Sequence, residues 1–183
     1  MRFEDVLHTG RIWAVVYDGD TQDILTKTLS GWMDPLNLLT FFSANQDDLA
    51  SFFHITNIGQ AVFDTIADAA SLSCLLLDVN SGIKLDTLFR PLENSRVHEM
   101  LLSREKAKGK RVSGHSSWLR MYALKLDDDV YLITGGAIKL TSRMNERPHT
   151  LNELMRMEKV RNYLLENGVI DADGIQDFIN SEL

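Results

Sequence analysis

The chain has 183 residues, 44% of them hydrophobic and 25% charged, the length and composition of one globular domain able to bury a core. A formal net charge of -7 argues against a protein that coats nucleic acid by its overall field. The single cysteine excludes an intramolecular disulfide and a cysteine-based zinc cluster within the chain.

The longest unbroken apolar stretch, residues 71–79, is far short of the roughly 20 residues that span a bilayer. Met1-Arg2-Phe3-Glu4-Asp5 lacks the charged-then-apolar profile of a signal peptide, so the expectation is a cytoplasmic protein with no membrane partner. Residues 11–17 are β-branched and aromatic, apolar on both faces, and end at Asp18-Gly19-Asp20, which predicts a first strand internal to a sheet. Ile24, Leu25, Thr28, Leu29 and Trp32 then recur at helical spacing, and Asp34-Pro35 reads as an N-cap followed by proline at the first helical position. Leu38, Leu39, Phe41, Phe42, Leu49, Phe52 and Phe53 supply a helical apolar face, continued by Ile58, Val62, Ile66, Ala69, Leu72 and Leu76. Cys74 lies in this pattern and reads as a small hydrophobe on a helix face.

A short apolar piece over residues 85–89 stops at Pro91. Residues 103–115 hold few large apolar side chains and predict an exposed loop. The clearest hairpin follows: a strand over residues 118–126, a turn at Asp127-Asp128-Asp129, and a strand over residues 130–134. Gly135-Gly136 predicts a break or bulge before a redirected strand over residues 137–141. Thr150-Leu151-Asn152-Glu153 fits a capping box opening a helix that stops before Gly168, and Ile175, Phe178 and Ile179 mark a last amphipathic segment. The expected organisation is one α+β domain: an N-terminal strand and helices (1–90), a basic loop and sheet (91–149), and C-terminal helices (150–183).

The charge is unevenly spread. Residues 104–149 carry ten Lys/Arg against five Asp/Glu, leaving the rest of the chain at -12. In this basic segment Trp118 and Tyr122 are suited to stacking on bases, Ser116, Ser117, Thr141 and Ser142 to phosphate oxygens, and His115 and His149 to proton transfer. Strand alternation puts Arg120 and Tyr122 on one face. Two readings stay open for them: a joint functional pair, or an arginine paired with a carboxylate beside a tyrosine that fills the core. No phosphate-binding glycine loop is present, because Gly135-Gly136 precedes a strand pattern rather than a helix. The motifs HExxH and GxSxG are absent, and the five histidines show no i, i+4 pairing, so no metal site is expected.

The succession of a first strand, a helical region, the Pro91-Leu92 step, a strand with Arg120 and Tyr122, its hairpin partner, Ile138-Lys139-Leu140-Thr141 and a capped helix resembles the RelE/ParE toxin superfamily, in particular its phage-derived HigB-like branch. Lys139-Leu140-Thr141 and His149-Thr150 stand where that branch has a Lys-Lys-Thr-like turn and a Thr-led step into the last helix. The likeness covers residues 118–164 best, and the Lys-Lys pair is reduced to Lys139. It implies a small twisted antiparallel sheet flanked by helices, and cleavage of mRNA on the ribosome with no cofactor. Arg120 and Lys139 would then stabilise the phosphate, and Tyr122 would stack or move a proton. His115 or His149 would be the acid or base, and Lys108, Lys110, Arg111, Arg143 and Arg147 would contact the RNA. The implied partner is an antitoxin that covers this basic surface. The alternative expectation is a non-enzymatic module binding a protein or nucleic acid through the same surface.

Overall fold

The computed structural model describes residues 1–78, 82–92, 101–108 and 114–182. Six strands form one sheet: β1 (Arg2–Asp5), β2 (Ile12–Val16), β3 (Phe89–Pro91), β4 (Ser103–Lys108), β5 (Leu119–Asp127) and β6 (Val130–Ile138), in the order β1-β2-β6-β5-β4-β3. The class is α+β, as the sequence predicts, but the sheet is mixed. β2 runs parallel to β6, with Ile12 opposite Tyr131, and every other neighbouring pair is antiparallel. The strand at Ile12–Val16 is internal and wholly buried, yet it is the second strand, since Arg2–Asp5 pairs along its outer edge.

Four helices precede β3: α1 (Ile24–Met33), α2 (Pro35–Ala44), α3 (Gln46–Phe53) and α4 (Ile58–Leu77). Asp34 caps α2 by accepting from the Leu36 and Asn37 amides, with Pro35 at its first position. α4 is long and apolar enough by length and composition to cross a membrane, which a search for an unbroken apolar run misses. Within the fold its Ala61, Thr65, Ala69, Leu72 and Leu76 are buried, while Cys74 is exposed.

α5 (Pro148–Glu166) and α6 (Ala172–Glu182) follow the sheet. α5 begins before the expected capping box, because Pro148 at the first position presets the helical φ. Thr150 therefore lies in the first turn, where its hydroxyl donates to the Arg147 carbonyl at 3.0 Å, and Glu153 turns onto the sheet. Gly168, at φ +75°, ends α5: its N–H donates to the Leu165 carbonyl, and the Val169 N–H donates to the Leu164 carbonyl at 2.9 Å. That is a Schellman closure, with Val169 and Leu164 both buried beside it.

The two glycines of β6 show how the layers sit. A Cβ on Gly136 would meet Thr28 and Trp32 of α1, and one on Gly135 would meet Glu153 of α5. Successive residues of a strand face opposite sides, so α1 covers one face of the sheet and α5 the other. α4 joins α1 on the first face, its Thr65 hydroxyl accepting from the Trp118 indole N–H at 2.9 Å. α6 folds back so that Phe178 meets Tyr163 of α5 and Phe3 of β1.

Two further expectations change in the fold. Residues 103–108 form β4, between β3 and β5, rather than an exposed loop. The break or bulge expected at Gly135-Gly136 is a bulge at Thr134, where pairing passes from Tyr122–Gly135 to Ala123–Ile133, and what changes is the redirected strand over residues 137–141. β6 continues through it to Ile138, and Lys139, Leu140 and Thr141 belong to the connection into α5.

Candidate nucleic-acid interface

The alternation of β4 and β5 builds the site. In β4, Glu105 and Ala107 are buried on the same face as their β5 partners Ala123 and Met121, while Lys106 and Lys108 face the other way. Register then sets Lys106 opposite Tyr122 and Lys108 opposite Arg120, and Arg90 of β3 opposite Lys106. Directly opposed side chains start roughly 5 Å apart at Cβ, so three strands deliver their charges to one place.

α5 covers the β6 side of this face and reaches the start of β4, where its Glu158 pairs with Arg104 at 3.2 Å, but leaves Lys106 and Lys108 uncovered. The uncovered part is a cleft of about 830 Å³. Its lining includes six cations, Arg90, Lys106, Lys108, Arg120, Lys139 and Arg143, and no carboxylate among the described residues. Leu88, Leu92, Met144 and Leu154 add an apolar wall.

None of the six cations forms an ion pair among the described residues. Three are held by carbonyl oxygens instead. Arg120 donates to Ser117 and Leu119 at 2.8 and 2.7 Å, Lys106 to Leu92 at 2.9 Å, and Lys139 to Thr141 at 2.7 Å and to Ser142. Burial, and after it the nearby Arg120 guanidinium, pulls the pKa values of Lys106, Lys108 and Lys139 below the usual lysine range. Burial also lowers that of Arg120.

Tyr122 lies in this wall, 1% exposed, and its hydroxyl has no hydrogen-bond partner among the described residues. Burial pushes its pKa far above the ordinary phenol range, so the group is a donor at every physiological pH. A buried donor without an acceptor costs about 1–3 kcal/mol. An anion in the cleft would neutralise the crowded cations.

The structure brings together Arg120, Tyr122, Lys139, Lys108 and Arg143 of the residues singled out in the sequence, and adds Lys106 and Arg90. Lys110 and Arg111 lie outside the described residues. The remaining three sit elsewhere. His115 stacks on Trp118 at 4.0 Å, with Nε2 3.2 Å from the Asp64 carboxylate of α4. His149 bonds through Nε2 to the Ile138 carbonyl at 2.9 Å and lies edge-on to Phe41. Arg147 is taken up by Asp48 of α3 in a two-pronged ion pair. Neither histidine lines the cleft, because each ring is packed against the helical layer on the far face.

The signal for Lys106 was legible in the sequence. Arg104, Lys106 and Lys108 alternate with Ser103, Glu105 and Ala107 at period two, a strand with one cationic face. Its low apolar content hid it. No family model, curated protein or solved structure matches the chain.

Proposed function

We propose that the protein binds single-stranded RNA in this cleft and cleaves it, as a toxin of the RelE/ParE kind that needs neither metal nor cofactor. The observation that carries this is the convergence of six cations, free of carboxylates, around a buried tyrosine hydroxyl that lacks an acceptor. A phosphodiester supplies the missing negative charge.

The chemistry is attack of a ribose 2'-oxygen on the adjacent phosphorus with expulsion of the 5'-oxygen, leaving a 2',3'-cyclic phosphate and a 5'-hydroxyl. Lys108, in the neutral amine form that burial and the nearby Arg120 favour, takes the 2'-hydroxyl proton. It faces Arg120 and, unlike Lys106 and Lys139, has no carbonyl holding its proton in place among the described residues. Lys106 returns a proton to the leaving oxygen, its acidity raised by burial and by Arg120. Arg120 and Lys139 face the charge that builds on the phosphoryl oxygens, with the Tyr122 ring behind them in the wall. An antitoxin with acidic side chains would silence the site by filling the same cleft.

Incubated with single-stranded RNA in the presence of a chelator, the wild type should leave cyclic-phosphate ends. Arg120→Ala/Lys139→Ala should cut at least about a hundredfold more slowly while keeping its tryptophan fluorescence. Induced expression in a bacterial host should arrest growth with the wild type alone. Uncut RNA and unimpaired growth would overturn the nuclease and favour a non-enzymatic module that binds polyanions, a reading supported by the lack of a histidine in the cleft lining.

A further inference from the structure

The cleft wall contributed by Lys139, Ser142, Arg143 and Met144 belongs to the connection between β6 and α5, which is tied to the sheet at its start by the Lys139 N–H on the Trp118 carbonyl at 2.8 Å and to α5 by the Thr150 hydroxyl on the Met144 carbonyl, and is otherwise bonded largely to itself. Lys139 donates to the carbonyls of Thr141 and Ser142, the Thr141 hydroxyl to the carbonyl of Arg143 at 3.1 Å, and the Arg143 N–H to the Glu146 carboxylate at 3.1 Å. Such a unit keeps its internal shape, and a further tie to the body is needed to fix the place of its outer part. Arg147 supplies one at its far end. Its Nε and terminal nitrogen donate at 2.6 and 2.5 Å to the two carboxylate oxygens of Asp48, in the first turn of α3.

α3 lies in the helical layer on the other side of the sheet, with Phe53 against Trp118. The pair therefore reaches round the end of the sheet. Its geometry is the paired, planar fork that arginine and carboxylate form best. Asp48 is 8% exposed, so its carboxylate has little water as an alternative partner.

We propose that Asp48 is a positioning residue for the cleft: by gripping Arg147 it fixes the 139–147 connection, and with it Lys139 and Arg143, where they meet a phosphate. This rests on the cleft being the RNA site. Arg147, basic and one residue from the start of α5, is thus a strut between two layers and does not touch the ligand.

The test measures affinity for a short single-stranded 2'-O-methyl oligoribonucleotide, which has no free 2'-hydroxyl and cannot be cut, by fluorescence anisotropy at low salt. Asp48→Asn and Arg147→Met each break the fork, one from each side, and each should weaken binding by roughly five- to tenfold. Combining them should add little, and in an Arg143→Ala background the loss from Asp48→Asn should shrink. Arg120→Ala/Lys139→Ala is the control for the cleft: if it binds as the wild type does, the RNA site itself is misplaced. If that control weakens binding while Asp48→Asn binds as tightly as the wild type or tighter, the positioning role is overturned. Loss with Arg147→Met but not with Asp48→Asn overturns it too, since Arg147 would then contact RNA directly. Thermal unfolding of each variant separates these outcomes from loss of fold, and Arg147→Met, at a half-exposed side chain, keeps the question answerable should Asp48→Asn not fold.

Discussion

The two faces of β5 put opposite chemistry on adjacent residues. Toward α1–α4 it presents Leu119, Met121 and Ala123, all fully buried, and the neighbouring Trp118 is wedged against Phe42 and Phe53. Toward the cleft it presents Arg120 and Tyr122 among like charges with one hydroxyl unsatisfied. One face collects the favourable energy of burial and the other carries groups whose placement costs stability. The pleat keeps them apart, so a change on one side should be readable without the other.

The largest expected effect lies on the packed face. Trp118→Ala empties a fully buried indole site and removes the bond that the Thr65 hydroxyl accepts, and should cost about 3–5 kcal/mol in denaturant unfolding. Arg120→Ala, two residues on, should stay within about 1 kcal/mol of the wild type while slowing the proposed RNA cleavage. Equal losses of stability would break the separation of the two faces.

The glycines of β6 sharpen it. A Cβ at Gly136 would lie 2.9 Å from two ring carbons of Trp32 and 2.7 Å from Thr28 Cγ2, rigid neighbours in a packed layer, so Gly136→Ala should cost about 1–3 kcal/mol. A Cβ at Gly135 would lie 1.8 Å from Glu153 Oε2, the far end of a side chain with rotatable bonds. Gly135→Ala should therefore cost less than Gly136→Ala, and less again in a Glu153→Asp background, which withdraws the obstacle. Additive losses in that pair, measured by thermal unfolding, would show that the carboxylate is not what Gly135 accommodates.

The smallest effect is one of pH. Burial raises the Glu153 pKa above the usual carboxylate range, against the pull of Arg156 and the Gly136 N–H. The folded protein thus holds this proton more tightly than the unfolded chain does. The associated stability is complete below the unfolded value, about 4.3, and is lost as pH rises through the raised folded value. Glu153→Gln should gain on the wild type in melting temperature between about pH 4 and about pH 7. A difference that stays constant over that range would mean Glu153 is already ionised throughout.

Local rules carried a good part of the fold. The Asp34-Pro35 cap, the β5–β6 hairpin across its acidic turn, the glycine closure at Gly168 and the pairing of Arg120 with Tyr122 on one face all depend on neighbours a few residues away. Propensity and periodicity record such neighbours directly in the chain. The capping box at Thr150 failed even at that range, since Pro148 two residues earlier set the helix start.

What only the tertiary structure decided depends on contacts across long separations. β4 looked like a loop because half of its side chains line a cationic cleft rather than a core, and its strand character comes from pairing with β5 and β3. His115, His149 and Arg147 have the same residue types as the site and lie in the same basic segment. They are drawn off by Asp64, the Ile138 carbonyl and Asp48, the two aspartates lying 51 and 99 residues from their partners. Lys106 and Arg90 enter because strand register sets them beside Tyr122. The sequence determined which side chains could serve an anion, and the register of the sheet and the far-face carboxylates determined which of them do, because a charge settles where its nearest unpartnered opposite is and the chain does not print that distance.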